Sequence, residues 1–259
     1  MYANTNTLET APKTVLETYV RQVEKLVHLT INGEEIVTTD NHPFYVQGRG
    51  FINAGSLLVG DKLISVNGED LFVEKIQELI QQISQFDEDI VGLEAKNCMY
   101  RIYRDIRFSP DKTPYKSYMS AYIAKGGRKS LRAGYYFHFE PGNCLLSGGI
   151  WCPEPKLLKA LRQAVYDNYD ELKDIVENKE FKSLYRDWVG ETLKIVPRPF
   201  PRDCEQAAWL KRKDYVVVNV KPDDFFGSPD WIEKAAHDFH IMKPLNDFLN
   251  YTVDEVYDL

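Results

Sequence analysis

An α+β fold is predicted by three features of the 259-residue sequence. Apolar and polar residues alternate with the period of a strand up to about residue 66, punctuated by Asn32-Gly33 and Asn67-Gly68, the dipeptides that most strongly signal a hairpin turn. The period lengthens to that of a helix at about residue 70, with no Pro- or Gly-rich linker between the two patterns. Farther on, strand-like runs joined by Gly-containing turns are followed by helical segments, the pattern of an antiparallel sheet with packed helices. The abrupt change points to a gene fusion of a small all-β part over 1–70 with an α+β part over 71–259, hinged at Asn67-Gly68-Glu69-Asp70.

Composition bounds the function. With 44% hydrophobic and 27% charged residues the chain has enough apolar material for a buried core. A net charge of −7 argues against a protein that coats nucleic acid, although a local basic face on an acidic body still attracts phosphate. Cys98, Cys144, Cys152 and Cys204 lie far apart, without a CxxC or a Cys-His pair at metal spacing, so neither a zinc site nor a disulfide framework is read and no metal or cofactor is expected. The first residues lack a basic region followed by an apolar core, and no eighteen apolar residues run together. A cytoplasmic protein with no membrane partner is the expectation, unless a larger assembly exports it.

Element by element, TVLETYVRQV (14–23), LVHLTI (26–31), EEIVTT (34–39) and PFYV (43–46) read as strands. Ile76, Leu79, Ile80, Ile83 and Phe86 then share one face of a helix over about 71–86, with Glu74, Lys75, Gln77 and Glu78 on its wet side. An alternating run through Tyr100, Ile102, Asp105 and Arg107 ends at Ser109-Pro110. AGYYFHFE (133–140) is an aromatic strand stopped by Pro141-Gly142-Asn143, and Ser147–Trp151 closes another. Helices are expected from Pro155 to about Tyr169, over 169–177 and over 180–189. YVVVNV (215–220) is a β-branched strand. Ser228-Pro229 caps a last helix through about Ile241, and Pro244 kinks or restarts it toward Tyr251.

Two stretches carry resemblances. The series Thr39-Asp40-Asn41-His42-Pro43-Phe44, then Gly50-Phe51-Ile52-Asn53-Ala54-Gly55 and Leu58-Val59-Gly60-Asp61-Lys62-Leu63, resembles the later half of the Hint (hedgehog/intein) fold as found in bacterial polymorphic and Rhs-type toxins. The resemblance implies that Thr39 and His42 polarise a scissile peptide bond while an upstream Cys or Ser attacks it. No Cys precedes Cys98, so the expectation is a truncated, inactive autoprocessing remnant. The second resemblance spans about residues 72–252. RIYRDIRFSPDKTPYK (101–116), AGYYFHFEPGN (133–143), GGIWCPEP (148–155) and KPLNDFLN (243–250) closely resemble the bacterial domain of unknown function 2461. That family opens with an Asn-rich helical segment, in whose place the Hint remnant stands. If the missing helix packs on the sheet, its loss is expected to leave apolar surface uncovered.

The charge pattern supplies the candidate site. Arg101 to Arg132 holds nine Lys or Arg against two Asp, a net +7 inside a chain of −7. At strand alternation Arg101, Asp105 and Arg107 share one side and Arg104 takes the other. Arg101, Arg104, Arg107, Lys112 and Lys116, with Asp105, Ser109, Asp111 and Tyr115, are therefore read as an anion-binding cluster for a phosphate-bearing small molecule or nucleic acid. The competing reading is a buried Arg-Asp network that fixes the turn. Weaker candidates are His138 as a base for Ser109, a Glu140/Glu154 carboxylate pair, and His237 with His240 as metal ligands. Tyr135, Tyr136, Phe137 and Phe139 offer stacking surfaces for bases, although half of them must face the core. Three functional outcomes stay open: an anion-binding module, a toxin-tip effector enzyme whose partner is an immunity protein, and a recombined gene product of little activity.

Overall fold

The computed structural model describes residues 2–3, 10–11, 26–31, 34–40, 43–46, 50–61, 68–101, 116 and 118–259. They fall into two compact units, 1–40 and 41–259. In the first, β1 (Tyr2–Ala3) pairs antiparallel with β2 (Thr10–Ala11), and β3 (Leu26–Ile31) with β4 (Glu34–Thr39). The register sets Ile31 opposite Glu34, which leaves residues 32 and 33 as the connection, the length an Asn-Gly hairpin requires. The strand expected over 14–23 lies outside the described residues.

The second unit begins with a short antiparallel pair, β5 (Pro43–Val46) and β6 (Gly50–Asn53), followed by α1 (Gly68–Ile83) and the single turn α2 (Ala95–Cys98). Its centre is an antiparallel sheet of β7 (Met119–Ile123), β8 (Gly134–Phe139), β9 (Cys144–Ile150), β10 (Asp187–Val189) and β11 (Tyr215–Lys221), in the order β10-β11-β9-β8-β7. Helices α3 (Pro155–Asp167), α4 (Tyr169–Glu177) and α5 (Lys179–Leu184) connect β9 to β10, the short α6 (Ala207–Leu210) precedes β11, and α7 (Trp231–Tyr257) closes the chain. Helices beside an antiparallel sheet make this an α+β protein with a strand-rich N-terminal region, as the periodicities predict.

Strand alternation divides the sheet into a dry face and an open one. Tyr135, Phe137 and Phe139 of β8, Leu146 of β9 and Val217 of β11 are buried on the dry face. Against them α1 lays Ile76, Leu79, Ile80 and Ile83, and α7 lays Phe239, Met242, Leu245 and Leu249. The ring centroids of Phe137 and Trp231 are 5.6 Å apart and those of Tyr135 and Phe239 are 5.2 Å apart, so aromatic pairing adds to area burial along this seam. Burying a side chain such as Phe239 contributes about 2–3 kcal/mol each time it is done. As strand alternation requires, the four candidate stacking aromatics split: Tyr135, Phe137 and Phe139 face the dry side and Tyr136 the open one.

Two expectations are corrected. Residues 187–189 form no helix; they pair antiparallel with Val216–Val218 as an edge strand, with Trp188 set edge-on to Trp209 at 4.6 Å. The last helix also does not stop near Ile241 and restart: it continues through Pro244 from Trp231 to Tyr257, and it starts after Asp230 rather than at Ser228. Buried residues on both sides of Pro244, from Phe239 to Val253, hold one continuous face against the sheet and α1, and this packing outweighs the lost backbone hydrogen bond. Because Pro244 itself is exposed, Pro244→Ala is expected to stabilise the protein by about 1 kcal/mol, read as a higher midpoint in urea unfolding. An unchanged or lower midpoint would show that the local backbone is adapted to proline.

Candidate functional site

The open face of the sheet carries a cavity of about 680 Å³. Its floor follows from register. Tyr122 of β7, Tyr136 of β8, Ser147 of β9 and Val218 of β11 lie side by side in one cross-strand row, and Gly149, Val216 and Val189 form the next. Small or β-branched residues on β9 and β11 keep this floor low, while Tyr136 on β8 and Tyr122 on the edge strand β7 raise a wall on one side. Ser147 turns its hydroxyl away to the Val217 carbonyl at 2.7 Å. Tyr122 donates to the Arg132 carbonyl at 2.7 Å and reaches the Gly149 carbonyl at 3.3 Å; burial first, then the neighbouring Tyr100, drives its phenol far above the ordinary range, so it stays neutral.

Cations stand on one rim. Tyr100 continues the pairing begun by Met99 opposite Ala121, its N–H donating to the Ser120 carbonyl at 3.0 Å. The Lys116 ammonium lies 5.0 Å from the centroid of Tyr118 and 5.9 Å from that of Tyr100, a cation held over two aromatic faces. Burial lowers its pKa, and the positive charge of Arg101 lowers it further, so the ammonium is less favourable here than in water. Arg128 donates through Nη1 to the Lys96 and Asn97 carbonyls at 3.0 and 3.2 Å, which fixes its guanidinium at the same rim. Trp151 and Glu154 also line the cavity, the latter accepting from the Tyr257 hydroxyl at 3.4 Å.

Residues 69–248 match the family described as conserved hypothetical protein (DUF2461), and residues 1–86 match the pretoxin HINT domain. The chain belongs to the DUF2461 family. The DUF2461 match contains every strand of the large sheet and all of the cavity lining except Tyr257. The two matches overlap on α1, which packs against the dry face. No curated protein and no solved structure matches the chain.

Against this geometry the predicted site residues divide. Lys116 lines the DUF2461 cavity, and the exposed Arg101 is near enough for its charge to act on the Lys116 ammonium without itself lining the cavity. Arg104, Asp105, Arg107, Ser109, Asp111, Lys112 and Tyr115 lie outside the described residues. Thr39 is the last residue of β4, opposite Leu26, and His42 lies outside the described residues. Two other cations of the basic window are engaged by acids: Arg132, which borders the cavity, is buried and paired with Asp89 and Asp254, and Lys125 lies 3.4 Å from Asp89. His240 stacks on Phe86 at 4.6 Å and has a packing role. Sequence reading missed Tyr118, Ser120 and Tyr122, although SYMSAYI (117–123) shows the period of two that puts those three on one face.

Proposed function

We propose that the chain binds a phosphate-bearing small molecule in the cavity on the open sheet face, with Lys116 as the central cation. One observation carries the reading: a partly desolvated ammonium, lowered by burial and by Arg101, sits over two tyrosine rings at the mouth of a cavity of about 680 Å³. A cation kept where its charge is disfavoured gains most when an anion arrives. A cavity of this volume suits a nucleotide-sized molecule better than a polymer, and the tyrosines offer flat surfaces to its apolar part. Arg104, Arg107 and Lys112 belong to the segment whose two flanks, Tyr100 and Lys116, both stand at this rim, and they are proposed as further contacts to the anion.

Isothermal titration of the full chain with ADP, inorganic phosphate and a single-stranded oligonucleotide tests this. ADP is expected to bind with an affinity that falls as salt rises, and Lys116→Ala is expected to weaken it about tenfold or more. Binding of the oligonucleotide with a steeper salt dependence than ADP would move the reading to nucleic acid. No binding of any of the three, or binding indifferent to Lys116→Ala, would end it.

A second reading is favoured by the match of residues 1–86 to a pretoxin HINT domain. In it the α+β unit is the toxic cargo of a polymorphic-toxin system, held in check by an immunity protein. Induced expression of the full chain in a bacterial host would then arrest growth. Normal growth at high expression would sink this form.

A further inference from the structure

The open face carries a second set of groups, beside the cations, that binding alone does not use. Tyr136 and His138 are two residues apart on β8 and therefore project to the same side. The Tyr136 hydroxyl lies 3.0 Å from Nδ1 of His138, and Nε2 of His138 lies 3.3 Å from Oε2 of Glu140. Glu140 is itself held, since its Oε2 accepts from Nδ2 of Asn143 at 2.9 Å in the turn that follows. The Tyr118 ring covers His138 with centroids 4.6 Å apart and leaves the imidazole largely buried. At the other end Ser120, also in the cavity lining, places its hydroxyl on Tyr136. Of the relay itself, only Tyr136 reaches the cavity.

The geometry points to Glu140, His138 and Tyr136 as a proton relay that makes the cavity a site of general acid-base catalysis, with Tyr136 as the catalytic residue. The chemistry fits an anionic substrate bearing a hydroxyl group. A proton leaves the substrate oxygen for Oη of Tyr136 as the phenolic proton moves to Nδ1 of His138, and the resulting imidazolium is stabilised by the Glu140 carboxylate. The proton returns by the same path, and no electrons are transferred. His138 and Glu140 are positioning residues, one orienting the phenol and the other fixing the tautomer. A carboxylate on Nε2 holds the proton there and leaves Nδ1 free to accept, which is the arrangement that an oriented base needs. Burial works in the opposite sense, raising the Tyr136 phenol, so it needs a base in contact in order to react.

This inference deepens the anion-binding reading by naming the chemistry of the same cavity, but its test does not depend on it. Benzenesulfonyl fluoride is the probe, applied to the full chain. Attack by Oη of Tyr136 forms the S–O bond, the S–F bond breaks, fluoride departs, and His138 takes the phenolic proton. Peptide mass spectrometry is expected to show Tyr136 labelled about tenfold or more faster than the exposed Tyr251. His138→Gln is expected to abolish that advantage and Glu140→Gln to reduce it severalfold. Nitrogen NMR of the unsubstituted protein is expected to show His138 protonated on Nε2, a readout that no variant can disturb by misfolding. Labelling of Tyr136 no faster than Tyr251, labelling indifferent to His138→Gln, or a His138 protonated on Nδ1 would each overturn the relay. Failure of ADP to bind while Tyr136 stays reactive would remove the ligand class and keep the relay.

Discussion

Gly149→Ala is expected to destabilise the α+β unit by about 4 kcal/mol, lowering the thermal midpoint on the order of 10 °C. Gly149 sits near the end of β9, between Gly134 of β8 and Val216 of β11, with φ at +107°. A side chain there is strained by the backbone alone, which costs about 1–3 kcal/mol. It also has nowhere to go, since a Cβ would stand 2.0 Å from the Tyr215 carbonyl oxygen and 3.1 Å from Cα of Val216. Relieving that overlap means separating β9 from β11 at the centre of the sheet, a further cost of about 1–3 kcal/mol. Gly126→Ala is the control: its φ is +81° but a Cβ meets nothing within 4 Å, so only the conformational penalty of about 1 kcal/mol is expected. Urea unfolding of the two variants separates the effects. Equal losses would mean that the β9–β11 approach is looser than the structure has it. Because the Gly149 carbonyl also receives the Tyr122 hydroxyl, Gly149→Ala should disturb the cavity floor even where the protein still folds.

Most of the fold was legible from period alone, since burial of one face writes itself into the spacing of apolar residues. The β3–β4 hairpin, α1, β8 and β11 follow directly from alternation, the i, i+3, i+4 spacing and β-branched content. What failed was decided by packing between distant segments. The edge strand β10 exists because Val216–Val218 offers a free ladder and Trp188 finds Trp209, facts that no local window around 187–189 contains. The site was legible in part, for a similar reason. Lys116 and Arg101 stood out by charge, but the tyrosines that flank Lys116 come from opposite sides of the basic segment, and the base facing Tyr136 was visible only as a lone histidine. A histidine gains meaning from what holds its two nitrogens, and here the holders are set by the same-face rule along β8 and the turn after it. Sequence counting set the nine dense cations against only the two acids of their own window. It overlooked acids brought from 43 and 122 residues away.

Those distant acids set the last expected result: Arg132→Met should cost about 3 kcal/mol, whereas Arg128→Met should cost less than about 1 kcal/mol. Both arginines border the cavity and both lie in the basic window, so a reading by charge alone treats them as equivalent. Arg132 is buried and forks, with Nη2 2.5 Å from Oδ2 of Asp89 and Nη1 bonded to the Asp254 carboxylate near the end of α7. Asp89 belongs to the 3-10 turn after α1, the same turn in which Asp87 accepts the Tyr135 hydroxyl at 2.7 Å. One guanidinium thus ties the segment after α1 to the C-terminal end of α7 above the start of β8. Removing it leaves the Asp254 carboxylate without this cation and Asp89 with only the exposed Lys125 at 3.4 Å, and the partial exposure of both acids keeps the loss at the lower end for a broken buried pair. Arg128, exposed and bonded to two carbonyls that water can also satisfy, has no comparable debt. Adding Asp89→Asn and Asp254→Asn to Arg132→Met is expected to recover part of the stability, because the stranded charges go with the arginine. Chemical denaturation of the four proteins decides it: equal losses in the two single arginine variants, or no recovery in the triple variant, would show that Arg132 is not the clasp.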